Sequence, residues 1–212
     1  MAIPTGFNLN SFKSSIGKHG VYRPQYFYVN IIPPKTIGNT QLSKDISLRC
    51  ETAGLPGIDL IDGFNGTRYG YGSAEFIPQT IAHRPVMLSF VIDEGTPGTG
   101  SYVHNYFLRW MNSIMNFNMP GGTLQSNGTI SHQTTGSFDT FEVGFRDDYA
   151  TTVQINQLAT TGAITNTIEL YQAFPISLSP IELSWNDQDQ VARLNVVMTY
   201  RSFSYTSTNL NT

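Results

Sequence analysis

The chain has 212 residues, enough to bury one substantial core, so one domain with elaborations is the expectation. Charged residues make up 13% of it, against about a quarter in a typical soluble domain, while Thr, Asn, Ser, Gln and Gly abound, so much of the surface is polar without being ionic. Lys and Arg total 12 against 15 Asp and Glu, a net charge of −3, which argues against a dedicated nucleic-acid binder because counterion release needs clustered cations.

Met1 to Lys18 lacks both the basic start and the apolar run of a signal peptide, and the single cysteine, Cys50, excludes an intrachain disulfide; the expected setting is a cytoplasm. The longest apolar segments, such as Val86 to Ile92, are too short to span a bilayer. Residues 2–20 read as a polar N-terminal arm with apolar points at Phe7, Phe12 and Ile16, too sparse for a core element. Arg23-Pro24 introduces a strand over Gln25 to Ile32, which Pro33-Pro34 stops. Asp45 to Thr52 alternates Ile46, Leu48 and Cys50 against Ser47, Arg49 and Glu51, which predicts a half-buried strand ending at Gly54-Leu55-Pro56-Gly57.

Residues 58–78 are rich in Gly and aromatics and read as a projecting arm or hairpin with its tip at Asn65-Gly66. Arg84 to Asp93 predicts a core strand, with Val86, Leu88, Phe90 and Ile92 on one side. One helix follows. Tyr102, Val103, Tyr106, Phe107, Trp110, Met111 and Ile114 recur at three- and four-residue intervals, with Ser101 as N-cap. Tyr106, Phe107, Trp110 and Ile114 are its core residues, each large side chain stabilising the docked helix by about 1.5–3 kcal/mol.

Residues 116–136 are a polar insertion, a loop or a weak hairpin around Asn127-Gly128. Phe138 to Phe145 and Tyr149 to Gln157 predict strands joined at Arg146 to Asp148, and Thr167 to Gln172 another. The chain ends in a hairpin: Phe174-Pro175 leads into a strand over Ile181 to Trp185, Asn186 to Gln190 turns, and Ala192, Leu194, Val196, Met198 and Tyr200 share one face of the return strand. The expected fold is mainly β, an antiparallel β-barrel or sandwich of about eight strands with one flanking α-helix.

Chemistry-bearing constellations are absent from the sequence pattern. His19, His83, His104 and His132 are scattered without metal-ligand spacing, and Asp187-Gln188-Asp189 departs from a calcium loop, with Ala192 and Met198 where Gly and Glu would stand. Asp93 and Glu94, as neighbours on a strand, point to opposite faces and cannot work as a carboxylate pair. They are read as ending the strand. Asn65-Gly66-Thr67 and Asn127-Gly128-Thr129 are read as turns and not as glycosylation acceptors. No catalytic residue, cofactor or metal is expected.

The order of elements carries a resemblance. Arg23-Pro24 before an aromatic strand, Cys50 to Gly57 (CETAGLPG), a Gly/Tyr arm, a strand ending at Asp93-Glu94, the Phe107-Leu108-x-Trp110 helix and the Phe174-Pro175 and Ile181-x-Leu-x-Trp185 hairpin together resemble the tail tube proteins of contractile-tailed bacteriophages. The similarity runs from about Tyr22 to Tyr205. It implies a structural virion protein, not an enzyme, whose copies form stacked hexameric rings, the DNA-ejection conduit inside a contractile sheath. The implied partners are copies of itself, the tail sheath protein, and baseplate and tail terminator proteins, with DNA passing through the lumen without specific binding. Subunit contacts would come from the arms, at Phe7, Phe12, Phe64, Tyr69, Tyr71 and Phe76. A baseplate-end tube initiator ring, the tube protein of a bacterial injection or secretion system, and a carbohydrate-binding β-sandwich are the competing readings.

Overall fold

The computed structural model describes residues 9–20, 23–38, 40–62, 78–95, 97, 100–115, 122–124, 130–132, 143–184 and 190–207. Within them the chain runs α1 (Leu9–His19), β1 (Phe27–Ile31), α2 (Thr40–Leu48), β2 (Cys50–Ala53), β3 (Gly57–Asp62), β4 (Pro78–Arg84), β5 (Val86–Val91) and α3 (Tyr102–Ile114). It continues through β6 (Gly122–Leu124), β7 (Ile130–His132), α4 (Arg146–Tyr149), β8 (Thr151–Leu158), β9 (Ile164–Leu178), β10 (Arg193–Thr199) and β11 (Ser202–Ser207).

One strand ties the two layers together. The 15-residue β9 pairs through its first part with β8 and β11, and through its end with β10. Its burial alternates with Ile168 and Leu170 inward, then changes phase to Ala173 and Pro175. The change comes from one extra residue: Val153 faces Leu170 but Thr151 faces Ala173, and Gln172 sits in the left-handed region at φ 51°. Such a bulge bends a strand and strengthens its local twist, which here carries β9 from one layer into the other. The first layer is β1-β8-β9-β11 and the second is β9-β10-β5-β2, all antiparallel. The sheet does not close into a barrel, so of the two expected architectures the sandwich is the one present.

The inward rows of both layers meet in one core. Val29, Ile155 and Ile168 are in register across the first layer, as are Ile31, Val153 and Leu170. Leu194 faces Phe90, Val196 faces Leu88 and Met198 faces Val86 across the second. Helix α3 adds Val103, Tyr106, Phe107 and Trp110 to the same core. Phe107 lies 4.9 Å from Phe90 between ring centres, and the Trp110 indole N–H donates to the Tyr149 carbonyl at 2.7 Å. Burial pushes the Tyr106 hydroxyl up to about 12, outweighing the opposing effect of its contact with Ser43.

Asp93 places the start of α3. Its carboxylate accepts from the Ser101 hydroxyl at 2.7 Å and from the backbone N–H groups of Tyr102 and Val103, while Ser101 accepts from His104 N–H. Burial pushes the Asp93 carboxyl up, yet these bonds outweigh it and hold it below its ordinary value. Gly95 makes the approach possible, because at φ 81° an added Cβ would fall 2.4 Å from the Gly100 carbonyl carbon. So Asp93 does more than end a strand: β5 stops at Val91, and the acid satisfies helix donors that burial would otherwise leave without partners.

Several sequence expectations are corrected. Residues 45–48 belong to α2, not to a strand: Ile46 is buried, Leu48 is exposed, and the hydroxyls of Ser43 and Ser47 bond the carbonyl and N–H of Ile31 on the edge of β1. A strand there would have left that edge without these partners. Four helices are present among the described residues where one was expected, including α1 within the N-terminal arm and α4 where a turn was expected. Pro180 to Ser184 form no strand, and β10 pairs with the end of β9. Trp185 and all of the expected turn over Asn186 to Gln190 but its last residue lie outside the described residues, as does most of the expected strand over Phe138 to Phe145. Between residues 116 and 136, β6 and β7 pair antiparallel.

The bulge generates a test. Gln172→Val should be less stable than Gln172→Gly by about 1–2 kcal/mol in urea denaturation, because a β-branched side chain resists the left-handed region. Equal stability of the two variants would contradict this account of β9.

Candidate assembly surfaces

The outward face of the first layer is polar and internally hydrogen-bonded. Asn30, Gln154, Glu169 and Ser204 stand opposite one another across β1, β8, β9 and β11, and Tyr28, Asn156, Thr167 and Thr206 form the adjacent row. Asn30 donates to Gln154 at 3.0 Å, Gln154 to Glu169 at 2.8 Å, and the Tyr171 hydroxyl to Glu169 at 2.7 Å. The Tyr171 hydroxyl also lies 3.1 Å from the Ser204 hydroxyl. Thr167 donates to Asn156 at 2.8 Å. Glu169 is the one charged residue of these rows, and the bonds from Tyr171 and then Gln154 hold its carboxyl below its ordinary value. These bonds link the strands through neutral amides and hydroxyls, and neither row holds a Lys or Arg that would grip a passing anion.

The β3–β4 ribbon is different in kind. It forms its own two-stranded sheet, with Leu60 opposite Ile81 and Ile58 opposite His83 on one face. Ile58, Leu60 and Ile81 are all more than half exposed. The other face carries an ion pair, Arg84 bidentate to Asp59 at 2.6 and 2.9 Å. It is fully exposed and adds little stability. His83 ties the ribbon to the bend between β10 and β11, its ring lying 5.5 Å from Tyr200 and 5.8 Å from Phe203. A two-stranded ribbon with an apolar face is marginal unless something covers it.

Helix α1 presents a second apolar stripe. Leu9, Phe12 and Ile16 recur at intervals of three and four, all exposed, on a helix whose only charged side chains are Lys13 and Lys18. Of the residues expected to make subunit contacts, Phe12 therefore lies on this helix, whereas Phe7, Phe64, Tyr69, Tyr71 and Phe76 fall outside the described residues. Tyr106, Phe107 and Trp110 are fully buried, and Ile114 packs partly buried at the edge of the core.

Among the described residues no group of three His, Cys, Asp or Glu is placed to hold a metal. Burial pushes the Cys50 thiol up to about 12, so little of it is the reactive thiolate. No described helix is long and apolar enough to cross a membrane. What the chain offers is surface.

The sequence matches the phage tail tube protein family over residues 22–206. The chain belongs to that family. Its members are structural proteins, not enzymes. Comparison with curated proteins finds no match. Among solved structures, a chain of the anti-feeding prophage baseplate is similar at 13% identity, covering 90% of this chain and 98% of that one, with a TM-score of 0.49. A chain of the sheath–tube complex of the PVC extracellular contractile injection system is similar at 13% identity, covering 92% and 97%, with a TM-score of 0.48. Hcp1 from Flavobacterium johnsoniae is similar at 9% identity, covering 86% and 95%, with a TM-score of 0.41.

In this tail tube protein residues 58–78, expected to project, hold most of β3 and the first residue of β4, while the aromatics expected to make contacts there lie outside the described residues. The apolar face of the ribbon is not among the sequence expectations, since Ile61 beside Leu60 and Ala82 beside Ile81 break the alternation with polar neighbours that would signal it. Ile81→Asp is expected to change monomer stability by no more than about 1 kcal/mol, as an exposed cross-strand substitution, while abolishing self-association. Denaturation and sedimentation velocity check the two halves separately. Undiminished association would show that this face meets nothing.

Proposed function

We propose that this chain is the tail tube subunit itself: one domain with an N-terminal arm, whose copies close into hexameric rings and stack as the DNA-ejection conduit inside a contractile sheath. Assembly takes place in the host cytoplasm, with the sheath, baseplate and terminator proteins as partners. A ring needs a heterologous interface that closes by rotation, and a tube needs a second, axial one that never closes. The flanks of the layer β1-β8-β9-β11 suit the first, and the β3–β4 ribbon with α1 suits the second.

The observation that carries this reading is the polar outward face of the first layer. Turned toward the bore, it offers the rows around Gln154 and Thr167, with a carboxylate at Glu169 and no Lys or Arg in them. Phosphate contacts by cations would accumulate over many rings and hold the DNA, each shifting the log–log salt slope by about 0.9. A wall of mutually bonded amides, hydroxyls and one acid avoids this.

Purified protein at high concentration should form rings or hollow rods under the electron microscope. A chain that stays monomeric under every condition, baseplate present, would overturn the proposal. Rods of Gln154→Lys, which place a cation in the bore at every copy, should retain DNA in a salt-dependent manner that wild-type rods do not show. Equal retention by both would remove this face from the bore.

A further inference from the structure

The β3–β4 ribbon continues the β2–β5 pair across a joint. Ala53 faces Leu88 and the Gly54 N–H donates to the Met87 carbonyl at 2.8 Å, and pairing resumes beyond the joint with Gly57 opposite Arg84. Between these rungs Leu55 and Pro56 on one side and Pro85 on the other lie outside the strands. A proline has no N–H to give to a ladder, so the hydrogen bonding of the second layer stops at the joint and the ribbon is a separate sheet.

One ring of the ribbon is fixed to the body of the subunit. His83 packs against Tyr200 and Phe203 at 5.5 and 5.8 Å between ring centres, and those two rings meet each other edge to face at 6.0 Å. The fit leaves something undone. The His83 Nδ1 and the hydroxyl of Tyr200, a residue only 5% exposed, are both buried without a hydrogen-bond partner. Ring packing thus holds the docked ribbon while two unsatisfied polar atoms oppose it. His83 also stands opposite Ile58, on the same ribbon face as Leu60 and Ile81, so the corner engages one end of an apolar face that is otherwise more than half exposed.

We infer that His83 on Tyr200 and Phe203 is a latch that holds the ribbon against its own subunit until a neighbouring copy takes the apolar face, whereupon the ribbon turns about Pro56 and Pro85. This rests on the self-assembly reading above, in which the ribbon serves the axial interface. One face cannot meet both: a neighbour that covers Ile58, Leu60 and Ile81 competes with the corner for His83 beside them. Opening lets the imidazole nitrogen and the hydroxyl reach water, so the docked and turned positions lie close enough in free energy for a neighbour to choose between them.

The test measures the separation of ribbon and corner within one copy. A full-length chain with Thr80→Cys and Ser202→Cys, both exposed positions, and with Cys50→Ser is spin-labelled and diluted into wild-type protein. The distance between the labels should lengthen on assembly. An unchanged distance in rings or rods would overturn the latch while leaving the tube reading intact, and protein that never assembles would overturn both. His83→Phe gives a second reading that needs no label, and it decides if the labelled chain does not enter assemblies. It keeps the ring and removes the unpartnered nitrogen, so it should slow hydrogen exchange of the β3–β4 amides in the free chain and lengthen the lag before assembly by about threefold or more. A lag equal to or shorter than that of the wild-type chain would contradict the latch.

Discussion

The structure depends on β9 serving two layers at once. Without the extra residue at Gln172, the inward phase set by Ile168 and Leu170 would continue, and Ala173 and Pro175 would turn outward. The bulge restores the apolar phase after the bend, so one strand contributes to the core twice. The same bend makes Tyr200 and Arg201 the corner between β10 and β11, where the Arg201 N–H bonds the Tyr171 carbonyl. Everything that presents a surface, including the polar face of β1-β8-β9-β11 and the ribbon anchored through His83, is held relative to that corner.

Low charge is put to one consistent use. Asn30 bonds Gln154, Gln154 bonds Glu169 and Thr167 bonds Asn156 across strands, which links the face without ion pairs. Ion pairs appear elsewhere, as at Arg193 with Glu51 and Arg84 with Asp59, where both partners are exposed and contribute little to stability. Core packing and not electrostatics holds the subunit, with Phe90, Phe107 and Trp110 at its centre.

Much of this was legible in the sequence, because strong periodicity survives tertiary packing. Val103, Tyr106, Phe107 and Trp110 of α3, the row Leu194, Val196, Met198 and Tyr200, and the row Val86, Leu88 and Phe90 lie inward, whereas Ala192, expected in the terminal row, is exposed, and Ile92 and Met111 are only partly buried. The misses share a cause, which is competition between two periods in short segments. Ile46 and Leu48 fit a strand, but Leu42 and Ile46 also fit a helix, and the edge of β1 decides between them through Ser43 and Ser47. Likewise Ile181 and Leu183 alternate as a strand would, yet the pairing that β10 needs is already supplied by β9. A bulge that changes phase inside one strand has no sequence signal here, since Gln172 is neither Gly nor Asn. The polar ladder was hidden for a simpler reason: its members come from β1, β8, β9 and β11, far apart in the chain.

The central claim is that the mutually bonded face of β1-β8-β9-β11 is the wall past which nucleic acid moves. A side-chain-resolution reconstruction of the assembled particle tests it most directly. The account predicts Asn30, Gln154 and Glu169 of every copy turned toward a central passage. A reconstruction with these residues on the outer surface, or with copies packed so that no passage remains, would contradict it.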